Sequence, residues 1–453
     1  MGERIHENKM GTMPIGKLII TMSWPAMLSM LIQAFYNIVD SFFVAKLGEQ
    51  ALAAVTYIFP VQMLMIALGV GTGIGINSLI ARRLGAKKFD EADKAASHGY
   101  RLSFFNWILL MLFGVFLSRT FMGIFTDTPY IVEEGTKYLQ IICIFSLFTF
   151  VQMTTEKVLQ ATGNMIFPML CSLSGAITNI VLDPLFIFGI GPFPEWGVSG
   201  AAVATIIGQF VSFCLGQYLL FAKKHPVHIK FKGFKFEKAV IKDIYAVGAP
   251  AILMQAMASV LQLGLNGVLA SLSETAVAVN GVYGRVQSFI FMPVFGINQG
   301  CMPIMGYNYG ARHKKRLMQT YKIAFLIAFT IMTCGMIAFQ IFPETFLRMF
   351  NASENMIAIG VPAFRIISIC FIPASFGIIS SSLLQATGHG VMSMWMSLIR
   401  QMIGILPMAI ILGKFFGLPH VWASFPLAEL MGVTFAIFAV LHVYKKEIKT
   451  LDS

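Results

Sequence analysis

The chain has 453 residues, of which 57% are hydrophobic and 12% charged; its formal net charge is +12 and its mean hydropathy +0.75. So few charges cannot coat a water-soluble globule of this length, so the composition excludes a soluble enzyme and points to an all-α polytopic membrane protein. Apolar segments long enough to cross about 30 Å of hydrocarbon recur along the chain, without the short alternation of barrel strands.

Residues 1–16 are polar, of mixed charge, and carry no small-residue cleavage site, so no removable signal peptide is expected. The first span, 15–46, contains Pro25 and an acid, Asp40, with Tyr36 and Asn37 four and three residues before it on the same helical face. The second, 50–82, has a close-packing run of Gly69, Gly71, Gly73 and Gly75. The third is 95–122. The fourth, 132–162, holds Tyr138 and, toward its end, Glu156 and Lys157, where an interfacial ion pair or snorkelling is expected. The fifth, 165–190, places Asn179 four residues before Asp183 with Pro184 beside it, and the sixth, 197–222, carries Thr205. A basic stretch, 223–242, containing Phe231-Lys232-Gly233, separates two halves, 1–222 and 243–453. Beyond it lie 240–270 with Pro250 and Gln255, 276–309, 317–345, 353–388 with Arg365, 391–415 with Arg400 and Pro407, and 417–444 with Glu429 near an end. Twelve spans result.

Basic residues occupy alternate loops: Arg82 to Lys94, Lys223 to Lys242, Arg312 to Arg316 and Lys445 to Lys449. By the positive-inside rule both termini are cytoplasmic, and a plasma membrane is the expected location. This topogenic charge leaves no need for a nucleic-acid partner. The intervening loops are short or acidic, as at Asp127 to Glu134.

One offset, 225 positions, relates the halves. Leu159-Gln160-Ala161-Thr162-Gly163 returns as Leu384-Gln385-Ala386-Thr387-Gly388, Gly85-Ala86 as Gly310-Ala311, Val61-Gln62 as Val286-Gln287, and Pro25-Ala26 as Pro250-Ala251. Such words at one offset indicate a duplicated unit. Six spans per copy make the repeats parallel, with a substrate cleft expected between them. The acids are not duplicated: at the positions of Asp40 and Asp183 the second copy has Leu265 and Met408. A carboxylate at the bilayer centre costs on the order of 3 kcal/mol, so two in one lobe call for a function. A proton or sodium site built from Asp40, Asn179 and Asp183 answers that. The alternative is two unrelated acids facing a wet cleft or pairing with arginine. Pro25 and Pro184 are candidate hinges on the two acid-bearing helices. Arg365 and Arg400 lie deeper in the second half and are candidates to line the substrate cleft or to meet structural partners.

Six cysteines lie singly without CxxC spacing, and eight histidines, His6 among them, lack metal-ligand spacing, so no metal or disulfide framework and no cofactor are expected. Without a GxxxxGK[ST] word or a catalytic constellation, the chain is expected to be neither an ATPase nor another enzyme. Transport would then draw on an ion gradient or run downhill.

The chain resembles the MATE family of multidrug and toxic compound extrusion transporters over essentially its whole length. The carriers are Tyr36-Asn37-Ile38-Val39-Asp40, Ala81-Arg82-Arg83-Leu84-Gly85-Ala86, Leu159-Gln160-Ala161-Thr162-Gly163, Asn179-Ile180-Val181-Leu182-Asp183-Pro184 and Gly306-Tyr307-Asn308-Tyr309-Gly310-Ala311. Within the family it is most similar to the bacterial MepA-like exporters. The resemblance implies a V-shaped pair of six-helix bundles and export of cationic or amphipathic drugs and dyes in exchange for protons or sodium. It places the first-lobe cation cluster on Asp40, Asn179 and Asp183, with Tyr138 and Thr205 as neighbours. Relatives of the NorM type carry further acids on the seventh and tenth spans, where this chain offers Gln255 and Ser380-Ser381-Ser382, so the resemblance places coupling in the first lobe. Two other readings stay open: a lipid-headgroup or polyprenyl-linked saccharide flippase using Arg365 and Arg400, and a membrane receptor or scaffold. Nothing calls for an oligomer, so the bilayer and small molecules are the expected partners.

Overall fold

The computed structural model describes residues 8–231 and 235–452, so His6, Lys232 and Gly233 lie outside the described residues. Among these, every regular element is helical. In chain order they are α1 (Lys9–Thr12), α2 (Ile15–Ala45), α3 (Glu49–Gly85), α4 (Phe89–Phe125), α5 (Pro129–Ile144), α6 (Ser146–Ala161), α7 (Ile166–Phe188), α8 (Gly197–Ala222) and α9 (Lys238–Leu272). They continue with α10 (Glu274–Gly310), α11 (Lys314–Ile341), α12 (Pro343–Arg348), α13 (Glu354–Ser368), α14 (Phe371–Ala386), α15 (Gly390–Leu398), α16 (Leu406–Phe416), α17 (Leu418–Val421) and α18 (Ser424–Lys446). A π-helical stretch, Ile399–Ile405, joins α15 to α16. Among the described residues ten helices are long and apolar enough to cross a membrane, and twelve spans result when the bent pairs α5–α6 and α13–α14 each count as one.

The two spans expected as single helices break for local reasons. Between α5 and α6 the chain turns by 45°, and there Ser146 Oγ donates to Cys143 O at 2.8 Å, competing with the backbone ladder. Between α13 and α14 the turn is 49°, next to Pro373, which has no N–H to return to the preceding turn.

The helix boundaries repeat with the sequence offset. α3 and α10 begin and end 225 positions apart, as do the start of α6 and its end when compared with α14. The left-handed residues that end these helices repeat too: Lys87 (φ 57°) and Arg312 (φ 61°), Gly163 (φ 89°) and Gly388 (φ 94°). The duplication is thus one of backbone conformation as well as of words.

Two compact units form. The first contains Leu28–Leu84 and Lys88–Gly248. Its core gathers Ile58, Leu110, Tyr138, Ile142, Phe150, Ile187 and Val198. α7 and α8 approach closely because both present glycine: a Cβ on Gly208 would lie 2.8 Å from Gly175 O, and one on Gly200 would strike the Phe186 carbonyl. The stretch after α8 is laid along the start of α4. Asp93 Oδ1 accepts from His228 N (2.7 Å), Ser97 Oγ from Lys230 N (2.9 Å) and His98 Nε2 from Glu237 N (3.0 Å). The N-terminal turns of α9 belong here as well, and Gly71 and Gly75 leave room for Ile244 and Gly248.

The second unit contains residues 8–27, Gly85–Lys87 and 249–452. The first half of α2 packs in it, where Gly296 and Gly300 of α10 leave room for Met22, Ser23 and Met27. The units therefore divide inside α2 and α9, beside Pro25 and Pro250, rather than within 223–242. Tyr283, Phe339, Phe364 and Phe371 form its aromatic centre, with Phe339 and Phe364 stacked at 5.1 Å. The carboxylate of Glu447 accepts from Tyr309 Oη at 2.6 Å and lies 3.0 Å from His389 Nε2.

Gly200→Ala is expected to force α8 from α7 at a cost of about 1–3 kcal/mol, read as a lower Tm of the detergent-purified protein; an unchanged Tm would mean that the helices are not held this close. At Glu237 the Lys94 ammonium, 2.7 Å away, holds the carboxyl below its ordinary range. Its tethering contribution is present above that range and is lost as pH falls through the lowered value. Hydrogen exchange over the tethered stretch should therefore be faster in Glu237→Gln than in the parent at pH 7, and the two should converge in strong acid.

Candidate cation site

Four helices of the first unit bring polar side chains to one place. α2 supplies Tyr36 and Asp40 from successive turns of one face, α5 supplies Tyr138, α7 supplies Asn179 and Asp183, and α8 supplies Thr205. Asp183 is 0%, Tyr138 1% and Asn179 2% exposed, while Tyr36, Asp40 and Thr205 are half-buried. Asn179 Nδ2 donates to Asp183 Oδ1 at 3.2 Å and reaches Thr205 Oγ1 at 3.3 Å. Tyr36 and Thr205 are within hydrogen-bonding reach, and Asp40 and Asp183 lie near both Tyr36 and Tyr138. Gln62 of α3 donates to Tyr138 Oη at 3.4 Å.

At the centre the carboxyl groups of Asp40 and Asp183 lie within hydrogen-bonding reach of one another. Asp40 Oδ1, Asp183 Oδ2 and Asn179 Oδ1 are buried and accept from no protein donor. Ionised carboxylates bring acceptors only, so a facing pair is complete only with a shared proton or a cation between its oxygens. A monovalent ion or proton suits these oxygen donors; among the described residues no cluster of three or more His, Cys, Asp or Glu side chains could hold a metal.

The glycine contact explains why the residues meet. With Gly175 against Gly208, the α8 turn carrying Thr205 lies beside Asn179, whose Cβ would be 3.2 Å from a Cβ on Gly208. The second repeat has none of this polarity. At 225 positions beyond Tyr36, Asp40, Tyr138, Asn179, Asp183 and Thr205 stand Leu261, Leu265, Ala363, Gly404, Met408 and Leu430.

Other residues singled out in the sequence lie elsewhere. Asn37 is exposed on α2. Pro25 is buried within an α2 that runs unbroken from Ile15 to Ala45, and Pro184 lies inside a continuous α7. Gln255 and Arg365 are exposed in the second unit, where Arg365 Nε donates to Gln340 O at 3.3 Å. Arg400 has a structural partner: its guanidinium is 3.5 Å from Glu429, which is 5% exposed. Of the interfacial salt bridge or snorkelling expected of an acid near a span end, Glu429 forms an ion pair, but one turned inward, because Gly404 and Gly432 let α18 close on the π-helical stretch. Glu156 likewise points inward, where Gln152 Nε2 donates to its Oε1 at 3.0 Å and Ser172 Oγ at 3.2 Å. Sequence reasoning passed over Gln33, Gln62, Gln152, Ser172 and Gln209. The signal was present as helical spacing: Gln33 precedes Tyr36 by three, Gln152 precedes Glu156 by four, and Gln209 follows Thr205 by four.

The MatE family profile matches residues 25–185 and 250–410, one match per repeat. The chain belongs to the MatE family. A protein named FAD transporter from Shewanella oneidensis is 25% identical over 427 residues, covering 92% of this chain and 92% of its own. Multidrug export protein MepA of Staphylococcus aureus is 25% identical over 432 residues, covering 95% and 94%. A solved structure described as the outward-facing conformation of a multidrug resistance MATE family transporter superposes with a TM-score of 0.89 at 28% identity, covering 96% of this chain and 97% of its own. The chain is thus an all-helical member of a multi-pass membrane transporter family, with MATE multidrug exporters among its relatives.

Touching residues do not contribute additively. Melting of Asp40→Asn, Asp183→Asn and the double variant should give an interaction free energy of at least about 0.5 kcal/mol, because either neutralisation alone removes the like-charge contact. Additive shifts would show that the two carboxyls do not meet.

Proposed function

We propose that this MatE-family member is a secondary active multidrug exporter, exchanging amphipathic cationic drugs and dyes for inward-moving protons, with Asp40 and Asp183 as the coupling pair. The observation that carries this reading is the facing of two carboxyls inside one lobe, with no counterpart in the other. A proton entering the pair replaces repulsion with a hydrogen bond and changes what Asn179, Thr205 and Tyr36 are asked to donate. Antiport requires only that proton and drug disfavour one another. One charge crossing about 100 mV supplies about 2.3 kcal/mol, and tenfold accumulation costs about 1.4 kcal/mol. One proton per cycle therefore sustains a useful gradient. Pro25 and Pro184, each on an acid-bearing helix, are the places where that change would bend the backbone.

Export of an anionic phosphate-bearing molecule, whether a lipid-linked one or the flavin dinucleotide in one relative's name, would want free arginines. Arg400 is engaged by Glu429, and the polar cluster of the first lobe is acidic, so electrostatics favour a cationic guest. Gln255 and Arg365, both exposed, are the candidate positions for substrate contact in the second lobe, while Arg400 is held by Glu429.

The test is ethidium efflux from cells lacking their own pumps, with FAD as the anionic comparison. The parent should export ethidium and not FAD, and should stop when a protonophore collapses the gradient. Asp40→Asn and Asp183→Asn, at matched membrane levels, should each lose tenfold or more of the rate. Gradient-sensitive efflux persisting in both variants would falsify first-lobe coupling, and efflux that follows sodium instead would replace the proton in this scheme.

A further inference from the structure

The first unit holds a partly open cavity of about 90 Å³ beside the carboxylate cluster. Tyr36, Asn179 and Thr205 border it at the cluster, and Gln152, Glu156 and Ser172 border it from α6 and α7. Its two ends are built alike. On α7, Asn179 Nδ2 donates to the carboxylate four residues on, Asp183, at 3.2 Å. On α6, Gln152 Nε2 donates to the carboxylate four residues on, Glu156, at 3.0 Å. In both amides the carbonyl oxygen, Asn179 Oδ1 and Gln152 Oε1, is buried and accepts from no protein group. Buried acceptors demand donors, and a polar space of this size between two such acceptors is one that water fills.

We propose that Glu156 is a second proton site, joined to the Asp40–Asp183 pair by the hydrated cavity, and that the coupling proton passes between them during the transport cycle. The proposal rests on the reading of Asp40 and Asp183 as a proton-coupling pair. In the transfer, the pair gives up its proton and gains one negative charge, a Glu156 Oε gains the proton and becomes a neutral carboxyl, and the water between is restored. The groups around Glu156 suit this role. Gln152 and Ser172 donate to it, and Gln209 and Ser212 on α8 are neutral. The ionisable side chains near it are Lys157 on its own helix, Cys171 on α7 and Tyr36 across the cavity. Lys157 Nζ donates to Gln160 Oε1 at 3.0 Å, along the helix away from the cavity. The second repeat has no such device: 225 positions after Gln152 and Glu156 stand Gly377 and Ser381.

The full chain in proteoliposomes, driven by an imposed pH gradient with ethidium as substrate, tests this. Glu156→Gln can keep both side-chain partners but cannot cycle a proton. It should lose about tenfold of the driven rate while its ethidium Kd in detergent stays within about twofold of the parent. Glu156→Asp should recover most of the rate with a displaced pH profile. A parental rate and pH profile in Glu156→Gln would overturn the proposal, as would a Kd weakened tenfold or more, which would make Glu156 a drug contact instead. If Glu156→Gln fails to fold, Glu156→Asp carries the test, and an undisplaced pH profile there overturns the proposal equally. Failure of the underlying reading is separate, because then Asp40→Asn and Asp183→Asn would themselves transport normally.

Discussion

Two carboxyl groups held face to face, one buried and one half-buried, are the constraint around which the first lobe is arranged. Such a contact is intolerable while both groups are ionised and unsolvated, and acceptable once a single positive particle lies between them. Everything nearby fits that condition. Asn179 spends one amide hydrogen direction on Asp183, Tyr36 and Tyr138 present hydroxyls, and Thr205 closes the remaining side. The arrangement depends in turn on a steric permission, the bare backbones of Gly175 and Gly208, without which α8 would stand off and Thr205 would be too far away to take part.

Duplication makes the lobe's chemistry easier to interpret, because the second repeat acts as a built-in control. The backbone is reproduced down to left-handed turns at Lys87 and Arg312, yet every member of the polar cluster is replaced by an apolar residue or glycine. Where the first repeat has Gly175, the second has Arg400, bound to Glu429. A neutralised, packed pair there carries no spare charge to exchange. The buried charge of this pair is thus internally balanced, and the first lobe retains acids whose balance depends on something mobile.

Much of this was legible in the sequence, for identifiable reasons. Twelve spans follow from hydropathy, and the offset of 225 exposes both the repeat and the unshared acids. Asn179 and Asp183, or Tyr36 and Asp40, share a face at i,i+4 spacing whatever the tertiary packing. That the two stripes touch one another depended on glycine contacts, and glycine is common in membrane helices whether or not it makes one. Glu156 and Glu429 were harder to read. Nearness to a span end suggests an interfacial side chain, but direction around the helix decides the matter. Glu156 turns inward toward Gln152, and Glu429 turns toward a π-helical stretch that hydropathy does not reveal.

The division of α2 and α9 next to Pro25 and Pro250 also bears on modularity. The opening turns of each repeat are packed among the helices of the other repeat's unit, with Met22 to Met27 beside Gly296 and Gly300, and Ile244 to Gly248 beside Gly71 and Gly75. The repeats are therefore not interchangeable cassettes. A chimera of two homologues joined at the basic linker would keep every span and every loop, yet mismatch both of these glycine seats. A junction placed after the prolines, by contrast, would exchange each packed unit with the half-helix that it needs.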